Sequence, residues 1–197
     1  MNKIPPEKYN NYYLYKIKKT LELAVLVHHR TLVVRVDLHF PDNVHVENNK
    51  AISAFTPALE ARLIDKYKRQ VKKNPGKQIH QSDRHYVWVR EQNHCGTKIH
   101  YHALLMFNKD AFYTLGDFTH RGNLADMIIQ AWCSALNLDA EKHRTLVTFP
   151  TNPCYYLYWA DASKGTNFDA INSRIEYMAK HRDKQYSRKV RTMGCSA

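Results

Sequence analysis

Hydrophobic and polar residues alternate along several short stretches of this chain, most clearly over residues 32–40. Leucine, valine and phenylalanine occupy every second position there, and Arg35, Asp37 and His39 lie between them. Successive side chains of a β-strand point to opposite faces, so this pattern predicts a strand with one apolar and one polar face. The apolar face is expected to contact the core of the protein.

Other stretches repeat their apolar residues at helical spacing, which predicts amphipathic helices. The second of these helices is expected to begin at Thr56-Pro57 and to end at Asn74-Pro-Gly76. The predicted elements are, in order, a helix at 7–28, a strand at 31–40, a helix at 57–73, a hairpin over 84–107, a helix at 123–137, a strand at 146–149, a helix at 167–184 and a strand at 188–193.

After the first helix, these elements follow the order β-α-β-β-α-β, which is the order of the ferredoxin-like (RRM-like) fold. We therefore predict an α+β protein with a central antiparallel sheet and its helices packed on one face. The other face, which carries the polar residues of the first strand, would then be open. A single nucleic-acid strand could lie on such a surface.

The predicted hairpin carries two histidines on one face of its second strand. His100 and His102 alternate with apolar residues, and Glu91 lies opposite His100 if the two strands pair from Gln92 and Ile99 onward. A carboxylate and two neutral imidazoles can hold Mg²⁺, Mn²⁺ or Zn²⁺, so the pattern predicts an open three-ligand metal site. The spacing alone is weak evidence, because twelve histidines in 197 residues produce about one such pair by chance.

The helix predicted at 167–184 carries a tyrosine among cations. Tyr177 flanks the apolar stripe of the helix, Arg174 and Lys180 lie three residues to either side of it, and Lys184 follows further along. The pattern Tyr-x-x-Lys also occurs twice in the first helix, so it carries no weight by itself. The stripe expected to be buried consists of Phe168, Ile171, Ile175 and Met178.

The charge of the chain adds a class of partner to this picture. Thirty Lys and Arg against 18 Asp and Glu leave a net charge of +12, spread along the chain, which favours a polyanion such as nucleic acid. Thirteen tyrosines and three tryptophans offer surfaces on which unpaired bases could stack. The length fits one domain. Without a signal peptide, a long apolar run or a Cys-x-x-Cys motif, we expect a cytoplasmic protein that contacts no membrane.

The ordered set of Glu91, His100-Tyr-His102 and a later Tyr177-x-x-Lys180 resembles the HUH endonucleases, and among them the initiators of rolling-circle replication. More narrowly, the chain resembles the inovirus-type replication proteins of the YagK/YfjJ family. That resemblance extends over nearly the whole chain and is carried by Leu32-Val-Val-Arg-Val-Asp-Leu-His-Phe-Pro41, Tyr86-Val-Trp-Val-Arg-Glu91, Asn152-Pro153 and the ending Val190-Arg-Thr-Met-Gly194.

The resemblance implies a HUH-type nuclease domain over residues 31–197, preceded by an N-terminal helical extension over residues 1–30. It implies a metal-dependent endonuclease that nicks one DNA strand at the origin of a phage, a plasmid or another mobile element in a bacterial host. Single-stranded or origin DNA would be its substrate, and a host helicase and polymerase would be possible partners. The chain has no phosphate-binding loop of the helicase type.

The resemblance also implies roles for residues. Glu91, His100 and His102 would hold Mg²⁺ or Mn²⁺, Tyr177 would be the nucleophile, and Lys180 would position or neutralise the phosphate. Attack by the tyrosine would leave a 5′-phosphotyrosine link and a free 3′ hydroxyl. As further expectations, Tyr186 is a reserve nucleophile, His39 approaches the site from the first strand, and the basic residues from Ser187 onward contact backbone phosphates.

Two other functions fit the same residues. A catalytically silent DNA-binding regulator would keep the fold and the basic surface, and its DNA affinity would not depend on Tyr177 or on metal. A transposase-like HUH enzyme would act as a tight dimer that exchanges strands between two ends.

Overall fold

The computed structural model describes residues 8–42, 44, 46–93, 98–159, 168–182 and 184–196. None of the helices in these ranges is long and apolar enough to cross a membrane. The described elements are α1 (Asn11–Val27), β1 (Arg30–His39), α2 (Lys50–Lys73), β2 (His85–Gln92), β3 (Ile99–Asn108), α3 (Leu124–Ala135), β4 (Val147–Thr148), β5 (Cys154–Tyr158), α4 (Asp169–Ala179) and β6 (Met193–Cys195), with a 3-10 turn at Arg144–Leu146 before β4.

The strands form one open antiparallel sheet, which confirms the mixed α and β architecture predicted from the sequence. The strand order is β4-β1-β3-β2-β6, and β5 pairs with the first half of β1. β3 therefore lies between β1 and β2. Its register places His100 opposite Glu91 and His102 opposite Asp37, so the predicted hairpin pairing is confirmed. The turn itself, residues 94–97, lies outside the described residues.

One face of the sheet packs on α2 and α3 as the alternating pattern predicts. The apolar residues of β1 and β3 on this face join a core that includes Phe55 of α2 and Trp132 of α3, both fully buried. The indole nitrogen of Trp132 donates to the backbone oxygen of His39, which ties α3 to the end of β1. The residues of β1 on this face are Leu32, Val34, Val36 and Leu38.

The opposite face is covered as well, so the prediction of helices on one face was wrong. α1 and α4 pack there on a second core, and the predicted stripe of α4 is buried in it. The central strands carry apolar residues on both faces. In β1, the residues on this second face are polar after Val33, namely Arg35, Asp37 and His39. The buried sheet residues of this second core are Val33, Val87, Val89, Leu104, Met106 and Leu157. Because α1 belongs to this core, the boundary expected at residue 30 falls between two elements that pack together.

Several predicted boundaries shift for identifiable reasons. α2 begins at Lys50, nearly two turns before Thr56-Pro57. These extra turns are helical because they bury Ile52 and Phe55 in the core. Pro57 lies inside α2. α4 ends at Ala179 rather than 184, and the last strand is Met193–Cys195 rather than 188–193. β5 was missed because its sequence, Cys-Tyr-Tyr-Leu-Tyr, lacks a clear alternation of apolar and polar residues.

The edge strand β6 depends on a glycine. Gly194 pairs with Trp88, and a Cβ at Gly194 would lie 2.5 Å from Cε2 of the indole. We expect Gly194→Ala to reduce the free energy of unfolding by about 1–3 kcal/mol, because overpacking displaces either β6 or the ring. Urea denaturation followed by circular dichroism measures this change. In a Trp88→Phe background the same substitution should cost less, and an equal cost in both backgrounds would exclude the indole contact as its cause.

Candidate metal centre and tyrosine site

Three potential metal ligands meet on the α1 and α4 side of the sheet, at the end of the β2–β3 hairpin. The Nε2 atom of His102 lies 3.1 Å from Oε2 of Glu91 and 3.0 Å from Nε2 of His100. His100 Nε2 is 4.0 Å from the same Glu91 oxygen. Glu91 and His102 are 5% exposed, so the cluster is open to the surface mainly through His100. The three residues predicted as ligands are therefore brought together.

The atoms of Glu91 and His102 that face away from the cluster contact other residues. Lys184 Nζ donates to Oε1 of Glu91 over 2.8 Å, which leaves Oε2 directed at the two imidazoles. Nδ1 of His102 lies 2.7 Å from Oδ1 of Asp37, so its Nε2 faces the cluster. A carboxylate on the far nitrogen of a metal-ligating histidine fixes the ring orientation and increases the basicity of the ligand nitrogen. Asp37 is in this position relative to His102.

The donor atoms fit a small divalent cation. One carboxylate oxygen and two imidazole nitrogens lie within 4.8 Å of one another. Adjacent ligands of an octahedral ion, each about 2.1 Å from it, lie about 3.0 Å apart, which matches the two shorter separations in the cluster. The mixed oxygen and nitrogen set excludes a preference for soft, thiolate-seeking metals. Glu91, His100 and His102 can thus hold a metal ion, whose identity this geometry leaves open.

Both carboxylates at the site are ionised at neutral pH. Burial by itself raises the pKa of Glu91, but the hydrogen bond and charge of His102 and the charge of Lys184 outweigh it and lower the pKa to about 2. The pKa of Asp37 is likewise raised by burial, and His102 and Arg35 lower it to about 2. An ionised Glu91 is the form in which this carboxylate can bind a cation.

The pKa values of the two histidines are shifted in opposite directions. Burial and the positive charge of His102 lower the pKa of His100 to about 4, so His100 is a neutral imidazole at neutral pH. Burial also lowers the pKa of His102, but hydrogen bonds to Asp37 and Glu91 outweigh it, and the net pKa is raised. A metal ion therefore competes with a proton for His102 up to a higher pH than for an ordinary histidine, whereas His100 is available as a neutral imidazole.

A single oxygen atom of Asp37 links this cluster to the tyrosine. Besides His102, Oδ1 of Asp37 accepts from Nε and Nη2 of Arg35, over 2.8 and 2.7 Å. The guanidinium carbon of Arg35, a residue that is 3% exposed, lies 5.2 Å from the ring centre of Tyr177. The orientation of the metal ligand and the cation against the tyrosine ring thus depend on the same carboxylate.

Tyr177 lies directly beside the cluster, and its ring contacts His102, Arg35 and Lys180. Its ring packs edge to face on His102, with 5.3 Å between the ring centres. Nζ of Lys180 lies 5.2 Å from the ring centre, the same distance as the Arg35 guanidinium. Cations at this distance attract the π face and restrict the ring to few orientations. The tyrosine and lysine predicted from the sequence are therefore adjacent to the three metal ligands.

Lys180 and Lys184 were predicted to lie within the helix, but α4 ends before both of them. Lys180 caps α4 in an extended conformation, and its side chain still covers Tyr177. Lys184 lies beyond the helix, where the chain turns back and buries its ammonium group against Glu91. Arg174 instead donates to the hydroxyl of Tyr155 and the backbone oxygen of Thr151, which ties α4 to the β4–β5 loop.

The reserve nucleophile has different neighbours. The hydroxyl of Tyr186 lies 3.1 Å from Nδ1 of His181 and 3.3 Å from Nδ2 of Asn10, and its ring packs on Tyr13 of α1. His39 does approach the cluster, because its ring stacks on His100 with 5.7 Å between centres.

Sequence reasoning missed the roles of Asp37, Arg35 and Lys184. The alternation in β1 placed Arg35 and Asp37 on the polar face, and this signal was correct. Their partners follow only from the β1–β3 register, which pairs Asp37 with His102. Lys184 was noted as a cation near Tyr177, but its contact with Glu91 requires the early end of α4, which the helical pattern did not show.

Comparison with known proteins places the chain in a family. The family model described as the YagK/YfjJ C-terminal domain matches residues 3–196. The chain is 36% identical over 193 residues to "Uncharacterized protein YagK" of Escherichia coli (strain K12), covering 93% of this chain and 91% of that protein. It is 35% identical over 192 residues to "Uncharacterized protein YfjJ" of the same strain, covering 92% and 91%. No solved structure matches the chain. The chain belongs to the YagK/YfjJ C-terminal domain family, and neither relative's name states an activity.

We predict that Mn²⁺ binding weakens as the pH falls. Because the pKa of His102 is raised, its protonated form persists above the ordinary histidine value near 6.5 and competes with the metal. Calorimetric titration of Mn²⁺ at a series of pH values should show an affinity that rises with pH and levels off once His102 is neutral. Titrations in buffers of different ionisation enthalpy should show net proton release. An affinity independent of pH would contradict this coupling.

A second prediction concerns Asp37. Asp37→Asn removes the negative charge that holds His102 and Arg35, and we expect Mn²⁺ affinity to decrease about 10- to 100-fold. Asp42→Asn is the matched control, because Asp42 forms an exposed ion pair with Lys98. Calorimetry measures both affinities, and far-ultraviolet circular dichroism checks that the fold is kept. Equal affinities for the two variants would show that Asp37 does not orient the ligand.

Proposed function

We propose that this protein is a metal-dependent, site-specific endonuclease that nicks single-stranded DNA through Tyr177, as HUH replication initiators do. The observation that supports the proposal most directly is the contact between the Tyr177 ring and His102, a residue of the only three-ligand cluster found among the described residues. A nucleophile beside a metal centre is the arrangement that phosphodiester transfer requires.

The reaction needs an oxygen nucleophile in line with the leaving 3′ oxygen and positive charge on the phosphate. A metal ion, when bound by the cluster, would withdraw negative charge from a nonbridging phosphate oxygen. The phenol oxygen of Tyr177 forms a bond to phosphorus, the bond from phosphorus to the 3′ oxygen breaks, and the phenol proton ends on that oxygen. The products are a 5′-phosphotyrosine and a 3′ hydroxyl.

The residues around Tyr177 have distinct tasks in this scheme. Arg35 and Lys180 hold the ring and favour the negative charge that develops on its oxygen. Lys180, at the end of α4, would also contact the phosphate. Asp37 maintains Arg35 and His102 in their orientations.

The fold and the charge support the same proposal. Apart from β5 and β6, the strand order β4-β1-β3-β2, with a helix between β1 and β2 and another between β3 and β4, agrees with the ferredoxin-like fold that we propose. A net charge of +12 suits a DNA ligand. We infer that Mg²⁺ or Mn²⁺ is the metal, because the ligand set contains a carboxylate and no thiolate and its shorter separations suit an octahedral ion. A replication role in a bacterial cytoplasm, with a host helicase and polymerase, follows from this proposal.

The covalent intermediate provides the test. The protein is incubated with Mn²⁺ and single-stranded DNA fragments, labelled at their 3′ ends, from the replicating element that encodes it. Because the tyrosine retains the 5′ phosphate of the downstream fragment, the label should migrate with the protein on a denaturing gel. We expect Tyr177→Phe to reduce this band to background and Lys180→Met to slow its formation about 100-fold.

Tyr15→Phe is the matched control, since Tyr15 is an exposed tyrosine of α1, and it should give the wild-type band. EDTA should abolish the band. A band that persists in Tyr177→Phe but not in Tyr186→Phe would transfer the nucleophile to Tyr186. Tight, metal-independent binding with no band from any fragment would contradict the nuclease and support a DNA-binding regulator.

A further inference from the structure

Two adjoining cavities follow the segment that comes after Lys184. The first, of about 450 Å³, lies between the start of α1 and β6, and the second, of about 820 Å³, lies on the other side of the segment beside β2. Tyr186, Ser187 and Val190 line both cavities. We call the two cavities together the edge groove. Each is within the range of about 300–1,000 Å³ that is typical of ligand pockets.

The first cavity is lined by aromatic rings and cations. Tyr12 is 64% exposed and Tyr186 is 50% exposed, and the buried ring of Tyr13 lies between them, 6.3 Å from Tyr12 and 6.2 Å from Tyr186. Lys16 and Arg191 contribute the positive charge, and none of the described residues that line this cavity is acidic. Exposed rings beside cations are the composition of surfaces that bind unpaired nucleic-acid strands.

The second cavity is lined by one acidic residue, Glu47, and by a buried cation with an unused donor. Arg90 is 8% exposed and lines this cavity, and its Nη2 donates to the backbone oxygen of Val46 over 2.9 Å. Its Nε atom has no hydrogen-bond partner among the described residues. An unpaired buried donor is costly, so a ligand atom that accepts from it would offset that cost. A phosphate oxygen is an acceptor of this kind.

The edge groove begins next to the candidate metal centre. Gln185, which lines the second cavity, directly follows Lys184, the residue that donates to Glu91. We propose that the edge groove binds the single-stranded DNA that flanks the scissile phosphate, with bases on Tyr12 and Tyr186. Lys16, Arg90 and Arg191 would contact its phosphates. This proposal rests on the proposed nicking function for its DNA substrate, but DNA binding in the groove requires neither metal nor cleavage.

Binding without metal therefore tests the groove separately. Fluorescence anisotropy in EDTA measures the affinity of the full chain for a labelled oligothymidylate of about 15 nucleotides. We expect Tyr12→Ala and Tyr186→Ala each to weaken binding about tenfold, because each removes a stacking surface. Lys16→Glu should also weaken binding and reduce the dependence of affinity on salt, because phosphate contacts release counterions.

The chain offers matched controls on the same helix. Tyr15 is 62% exposed and Lys18 is exposed, and neither lines the groove, so Tyr15→Ala and Lys18→Glu should bind as the wild type does. The affinity for duplex DNA of the same length should not change with the tyrosine substitutions, because the bases of a duplex are already stacked. Tyr12 is 64% exposed, so we expect Tyr12→Ala to keep the fold and to remain informative if Tyr186→Ala lowers stability.

The outcomes separate this proposal from the nicking function. If Tyr12→Ala and Tyr186→Ala bind oligothymidylate like the wild type, or no more weakly than Tyr15→Ala does, the edge groove is not the DNA site. Absence of wild-type binding to the oligonucleotide would overturn it as well. If the groove variants lose affinity while the wild-type protein forms no covalent band with the DNA of its own element, the groove proposal stands and the nuclease fails.

Discussion

The pairing of β3 with both of its neighbours is the constraint on which the candidate site depends. Pairing with β2 sets Glu91 opposite His100, and pairing with β1 sets Asp37 opposite His102. Because strand side chains alternate between faces, a slip of one residue on either side would move these groups to the opposite core. The apolar residues of β3, buried on both faces, oppose such a slip, so the same packing that stabilises the sheet fixes the site.

Asp37 gives the site a second level of organisation. Its Oδ1 atom accepts from the Arg35 side chain and holds Nδ1 of His102, so the metal ligand and the cation against Tyr177 share one anchor. His102, together with Arg35 at Asp37 and Lys184 at Glu91, compensates the charges of these two carboxylates and keeps both ionised. The candidate metal ligands and the tyrosine are thereby arranged as one unit rather than two neighbouring features.

The sequence predicted the parts of this arrangement that depend on local periodicity. The faces of β1 and β3, the pairing of Glu91 with His100 and the buried stripe of α4 were all readable as alternation or helical spacing. It did not predict the second helical layer, because the apolar residues opposite the first core are few per strand and become significant only once three strands lie side by side. The contacts of Asp37 and Lys184 depend on long-range pairing and on where α4 ends, which no local pattern records.

The central claim is that Glu91, His100 and His102 form one metal centre beside Tyr177. Crystals of the protein grown with Mn²⁺ and measured at the manganese absorption edge test it most directly. The structure predicts a single strong anomalous peak about 2.0–2.3 Å from Oε2 of Glu91 and from Nε2 of both histidines. A crystal saturated with Mn²⁺ that shows no peak there, or shows its strongest peak elsewhere, would contradict the claim.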